Sequence, residues 1–153
     1  SLSINEWMAA SAVVGDWIEL YSNDTRPVDL SGLILTDDPS LAGSTAMPIG
    51  PLSFIGAKSW VQFIADGNLS AGRDHVNFAL EAQGDMVRLY GTDLSIIDSI
   101  SFGAQTPDVS QGRLPDRRTN IVSFPATPTP EASNYLPLQN VVINEVLTHT
   151  DPP

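Results

Sequence analysis

Apolar and polar residues alternate along this chain in short runs, and turn-forming residues interrupt the runs about every ten positions. Ser3 to Met8 sets the pattern: Ile4, Glu6 and Met8 would point one way and Asn5 and Trp7 the other. In "GDWIELYSND" Ile18 and Leu20 share one face while Trp17, Glu19 and Tyr21 share the opposite one. "LILT", "SWVQFIA", "VNFAL", "DMVRLYG", "SIIDSISFG" and "NIVSF" repeat the rhythm, with Asp37-Asp38-Pro39, Ala82-Gln83-Gly84 and Thr92-Asp93 as turns. No window carries a helical period. A chain of this kind must bury one face of each short strand against another sheet, so the expected fold is all-β, a sandwich of two antiparallel sheets. Its expected core is Ile18, Leu20, Leu33, Leu35, Val61, Phe63, Phe78, Leu80, Val87, Leu89, Ile97 and Phe102.

At 153 residues the chain holds one domain of ordinary size. We divide it into a sandwich over residues 1–124, a Pro-, Thr- and Ser-rich terminal segment and linker over 125–140, and a strand-like piece over 141–153. That last piece matters, because Ile143-Asn144-Glu145 repeats the tripeptide Ile4-Asn5-Glu6 from near the other end. The repetition predicts a truncated first strand of a following domain, hence a protein with such domains in tandem. Val141 to Leu147 keeps strand alternation, so the segment is expected to add to a sheet edge, and self-association through it is one candidate contact.

The charge is one-sided: 18 acidic residues against 7 basic ones, net −11, with Lys58 the single lysine. Phosphate backbones are gripped by clustered Lys and Arg, and Arg117-Arg118 is the only such pair, so nucleic acid is not an expected partner. No run of apolar residues is long enough for a membrane-spanning helix. The absence of Cys removes disulfides, thiolate metal sites and Cys nucleophiles together. Of the two histidines, only His75 lies within the sandwich, beside Asp74, and the expected role for it is structural.

Several phrases, taken in order, resemble the lamin-tail domain family, its bacterial members in particular. They are "INEW…GDWIELYSNDTRPVDLSGLILTDD", "HVNFALEAQGDMVRLYGTDLSIIDSISFG", "DVSQGRLPD" and the ending "TPTPEASN", which together cover roughly residues 2–135. The resemblance implies an immunoglobulin-like β-sandwich in an exported, multidomain bacterial protein, extracellular or in the cell envelope. It further implies an attachment or interaction module without a catalytic motif, whose partner is a protein or a cell-wall polymer.

Some residues stand out on chemistry alone. The alternation aims Glu6 at the core, and a buried carboxylate needs a charged donor or a metal. Arg113, on the extended "QGRLP", is the expected partner in a structural ion pair. The lesser alternative is Ca²⁺ held by Glu6, Asp37 and Asp38, although no calcium-binding loop motif supports it; no cofactor is expected. Trp7 and Trp17 are candidate ligand contacts, Trp17 above all because Ile18 and Leu20 hold the core face of its strand. Two exposed indoles would make a carbohydrate-binding module, which is the alternative to a protein-attachment function.

Overall fold

The computed structural model describes residues 2–13, 15–41, 46–139 and 141–146. Ten strands appear among them: β1 (Leu2–Met8), β2 (Trp17–Ser22), β3 (Val28–Asp29), β4 (Ile34–Thr36), β5 (Phe54–Ile55), β6 (Trp60–Ile64), β7 (Gly84–Tyr90), β8 (Ile96–Gly103), β9 (Ser110–Arg113) and β10 (Ile121–Phe124). No helix occurs among the described residues. The strands form a five-stranded sheet in the order β10-β9-β1-β2-β6, a three-stranded sheet in the order β4-β7-β8, and the small pair β3-β5. Every named pair is antiparallel. The fold is therefore all-β, as the alternation requires.

One apolar cluster takes residues from both large sheets: Ile4, Trp7, Ile18, Leu20 and Phe63 from the five-stranded sheet, and Leu35, Val87, Leu89 and Ile100 from the three-stranded one. This is sandwich packing, in which each sheet buries one face against the other. Nine of the expected core residues are buried, and Val61 and Phe102 pack at its margin. Ile97 is a correction: it is 37 % exposed, and Ile100 takes its place in the core. Asp98, Ile100 and Phe102 form the inward set of β8 instead, each making contact across the sandwich.

β1 departs from simple alternation, and the departure organises everything on the outer face. Its pairing with β2 runs Ile4↔Leu20 and then Glu6↔Glu19, so Asn5 is an extra residue in a bulge. The bulge shifts the phase by one position. Ile4 stays in the core, and Trp7 and Ala9 join it there, while Glu6 and Met8 turn to the opposite face. Glu6 thus lies outside the inter-sheet core, yet it is still fully buried.

The cover over that outer face comes from residues 125–135, which the sequence suggests are linker. Phe124, Thr129 and Asn134 are all buried, and Thr129, Glu131 and Asn134 bond to side chains or carbonyls of β1, β2 and β9. The segment is a strap that belongs to the domain. Beyond it, Val141 to Val146 form no strand, and Val141, Val142, Ile143 and Val146 are 67 to 84 % exposed. Leu147 lies outside the described residues.

"VNFAL" alternates as expected, with Val76, Phe78 and Leu80 buried, but it makes only the isolated bridges Ile64↔His75 and Asp66↔Ala79.

Candidate functional site

Under the strap lies a network of buried acids. Glu6 accepts hydrogen bonds from the Ser110 hydroxyl, from the Thr129 backbone N–H at 3.2 Å and from Thr129 Oγ1 at 2.8 Å. Glu19, its neighbour across the β1–β2 pair, accepts from Asn5 Nδ2 at 3.1 Å and from the Glu131 backbone N–H. Asp116 accepts from Asn5 Nδ2, Ser133 Oγ and the Asn134 N–H. Asn5, placed at the bulge, ties two of the three acids together, and its Oδ1 accepts the Arg117 N–H. Gly112 makes the close approach possible. A Cβ there would sit 2.7 Å from both Asn134 Nδ2 and the Asn5 carbonyl.

Among the described residues no cation joins this network, and the geometry shows how it is tolerated. Burial pushes the Glu6 and Glu19 carboxyls up, Glu19 to about 8, against the hydrogen bonds that favour their charged forms. Proton counting agrees for Glu6. Thr129 Oγ1 stands 2.8 Å from both Glu6 Oε2 and Asn134 Oδ1, and one hydroxyl proton cannot serve two acceptors. The Asn134 amide cannot be turned, because its Nδ2 donates to the carbonyls of Arg113 and Asn5. A hydrogen given to Asn134 is withheld from a charged Glu6, which acts in the same direction as burial.

The ion pair expected between Glu6 and Arg113 does not form. The Arg113 guanidinium turns to the other side of its strand and holds Asp98 through two bonds of 3.0 Å each. Its Nε donates to the Ile4 carbonyl at 2.7 Å, and Asp98 Oδ2 accepts the Ile4 N–H at 2.8 Å. β9 pairs with β1 only at Glu6 and Trp7, so before the bulge β1 has β2 on one side and no paired strand on the other. The Arg113–Asp98 pair fills that gap with side-chain donors and acceptors and clips the two sheets together.

The other expected contacts are also relocated. Trp7 and Trp17 are each 1 % exposed, so neither presents a face to a ligand. The phase shift puts Trp7 in the core, where it packs on Phe102 with ring centroids 5.9 Å apart. Trp17 is buried on the outer face, opposite Met8 in the sheet. The partly exposed aromatic pair is Tyr21 and Trp60, 5.2 Å apart. Glu6, Asp37 and Asp38 do not converge: Glu6 is sealed under the strap, whereas Asp37 and Asp38 follow β4 in the other sheet. No group of three potential metal ligands occurs among the described residues.

Two of the depressions at the surface bear on function. A cleft of about 450 Å³ is lined by Met47, Ile49, Leu69, Arg73, His75 and Val76. In it His75 Nδ1 meets Asp66 Oδ2 at 2.9 Å, an imidazole oriented by a carboxylate, and the Ser70 hydroxyl in the same cleft donates to Asn68. A groove of about 400 Å³ runs between β8 and the β9–β10 end of the five-stranded sheet, lined by Trp7, Asp98, Ser99, Ser101, Arg113 and Ile121. β8 is an edge strand, and among the described residues no strand pairs with its free side. Trp7 adds a buried Nε1–H with no acceptor among the described residues.

Comparison with family models, with curated proteins and with solved structures finds no match for this chain. The groove was missed in the sequence because it is built from residues about a hundred positions apart. Its one local signal was the long "IIDSISFG" of β8, in which Asp98 is the single charged residue.

Proposed function

We propose that this chain is a non-catalytic attachment module, an immunoglobulin-like sandwich that holds an extended segment of another protein against the free edge of β8. The observation that carries the reading is the groove itself. An eight-residue edge strand presents its unpaired side there. Unpaired strand edges are templates for another strand: backbone bonds supply affinity and flanking pockets supply specificity. Natural sandwiches commonly blunt such edges with Lys, Pro, bulges or inward charges; β8 has no Lys or Pro, and its bulge at Ile97 and inward Asp98 fall near its start, leaving Ser99 to Gly103 regularly paired on one side and open on the other.

The resemblance to lamin-tail domains supports the wider setting: an exported, multidomain bacterial protein in which such modules follow one another, extracellular or in the envelope. The repeated Ile-Asn-Glu phrase supports the tandem arrangement. The reading calls for no cofactor. The carbohydrate alternative loses the two indoles on which it rested, and a sugar platform would have to use Tyr21 and Trp60.

Selection from displayed extended peptides tests the proposal. Selected peptides should slow amide exchange at Ser99 to Ser101 and change Trp7 emission. Selected binders that protect only the His75 cleft, or a library that yields none, would refute it. Cell-wall glycans that perturb Trp60 and leave β8 untouched would favour the sugar reading.

A further inference from the structure

The cleft beside His75 takes no part in strand addition at β8, and its chemistry differs from that of the rest of the molecule. Its floor is Phe63 of β6 and Leu35 of β4, one residue from each large sheet, and Ile49 and Val76 form its walls. Met47 and Leu69 line it as well and are 47 and 44 % exposed, as residues at a rim are. The volume of about 450 Å³ is in the range of small-molecule sites, which are mostly apolar with a few polar groups that fix orientation.

Here those polar groups are basic. The chain has 18 acidic residues and 7 basic ones, yet the described residues lining the cleft include Arg73 and His75 and no Asp or Glu. Arg73 donates from Nη1 to the Pro51 carbonyl at 2.8 Å, which pins the loop that carries one wall. Among the described residues no acid pairs with it, so its Nε and Nη2 donors stay available. His75 is fixed in two ways. The Ile64 N–H donates to the Asp74 carbonyl at 2.7 Å and the Val76 N–H donates to the Ile64 carbonyl at 2.9 Å, which holds the backbone on both sides of it. Asp66 holds the ring, 2.9 Å from Nδ1. A carboxylate can only accept, so Nδ1 carries the hydrogen, and Nε2 has no partner among the described residues. In the neutral ring Nε2 accepts from a carboxylic acid; in the charged ring it donates to a carboxylate. Either way ring and ligand share one proton.

We infer that this cleft binds a small amphipathic carboxylate, with a compact apolar body packed on Phe63, Ile49 and Val76 and a carboxyl group held by Arg73 and His75. The match is one of charge as well as shape: an anion gains a counter-charge there, and an amine would meet Arg73 instead. The occupant is a small molecule and not a strand, because both neighbouring sheet edges are already covered. β6 bonds to the Asp74–Val76 segment, and β4 bridges to Pro48.

Octanoate, octan-1-ol and octylamine share one apolar body and differ in head group, so they test the assignment. In chains with methyl-labelled methionine, octanoate should shift the Met47 signal saturably and leave Met8, buried on the outer face of the five-stranded sheet, unmoved. Octan-1-ol should bind about tenfold more weakly, and octylamine more weakly still. Arg73 is exposed, so its replacement leaves the core intact. Arg73→Gln should weaken octanoate about tenfold and leave octan-1-ol as it was, while Arg73→Lys, which keeps the charge, should retain most of the affinity. Leu69→Glu should turn the preference towards octylamine. Equal affinity for octanoate and octan-1-ol, an Arg73→Gln chain that binds as the parent does, or a Met47 signal that none of the three moves would overturn the inference. So would slowed amide exchange at Ser99 to Ser101 on adding octanoate, which would place the ligand at β8. A peptide with a free C-terminal leucine that displaces octanoate at about a tenth of its concentration would also overturn it, by making the ligand the end of another protein.

Discussion

Arg113 shows how much one side chain can decide. Its guanidinium satisfies the Ile4 carbonyl and a nearly buried Asp98, which in turn satisfies the Ile4 N–H. Arg113→Ala leaves Asp98 without its cation and β1 without its clip, at a cost of about 3–5 kcal/mol, typical of breaking a buried pair from one side. Denaturant midpoints measure this, and a cost below about 1 kcal/mol would show the pair to be solvent-weakened. Glu19 makes the opposite prediction. Its folded carboxyl is raised to about 8 from 4.5, so the folded state binds a proton that the unfolded chain releases. The contribution is fully present below pH 4.5 and is lost as pH rises towards 8, by up to about 1.4 kcal/mol per pH unit for each such group. Glu6 shifts in the same direction and adds to the slope. The protein should therefore be markedly more stable at pH 5 than at pH 9. Glu19→Gln, which keeps a carbonyl to accept from Asn5, should flatten that profile and raise stability at pH 9. Urea midpoints across this range that rise with pH would contradict the burial argument.

At the scale of elements, the strap over residues 125–135 carries the clearest consequence. Its proline- and threonine-rich composition reads as linker, because nothing local predicts burial. What binds it is a set of carboxylates on another element, with Thr129 inserted between Glu6 and Asn134. Thr129→Val keeps the shape and removes the hydroxyl, leaving buried acceptors unsatisfied, so it should cost about 1–3 kcal/mol. Gly112→Ala acts on the same contact from below, since its Cβ would overlap Asn134 and the Asn5 carbonyl. In both variants amide exchange should quicken at Glu131 and Asn134 while β7 and β8 keep their protection. Uniform loss of protection would mean that the strap and sandwich open as a unit.

For the whole molecule, the tail is the segment that the domain does not need. The described residues from Leu136 to Val146 are exposed, and none makes a hydrogen bond to the sandwich. Deleting residues 138–153 should leave the melting temperature within about a degree. A clear drop in the melt would mean that the tail pairs inside its own sandwich. Two other sheet edges are covered: β6 gives backbone bonds to the Asp74–Val76 segment and β4 bridges to Pro48, while the edge strand β10 is only four residues long. β8 is left as the long open side, which is why that surface carries the functional reading.

The sequence by itself determined the layers. Period-two alternation is a local property, and it placed Ile18, Leu20, Leu33, Leu35, Phe63, Val87 and Leu89 inside without any knowledge of their neighbours. It also located the acids worth attention, because Glu6 sits in an apolar run where a charge is costly. What the tertiary structure decided was phase and partnership. The bulge at Asn5 moved Trp7 inward and Glu6 outward, and where a bulge falls depends on the strand across the sheet. The partners of Arg113, Glu6 and Glu19 lie 15, 123 and 112 positions away in the chain. No local pattern chooses among such distant partners. They are chosen when sheet closure brings groups together in a medium where each must find a partner.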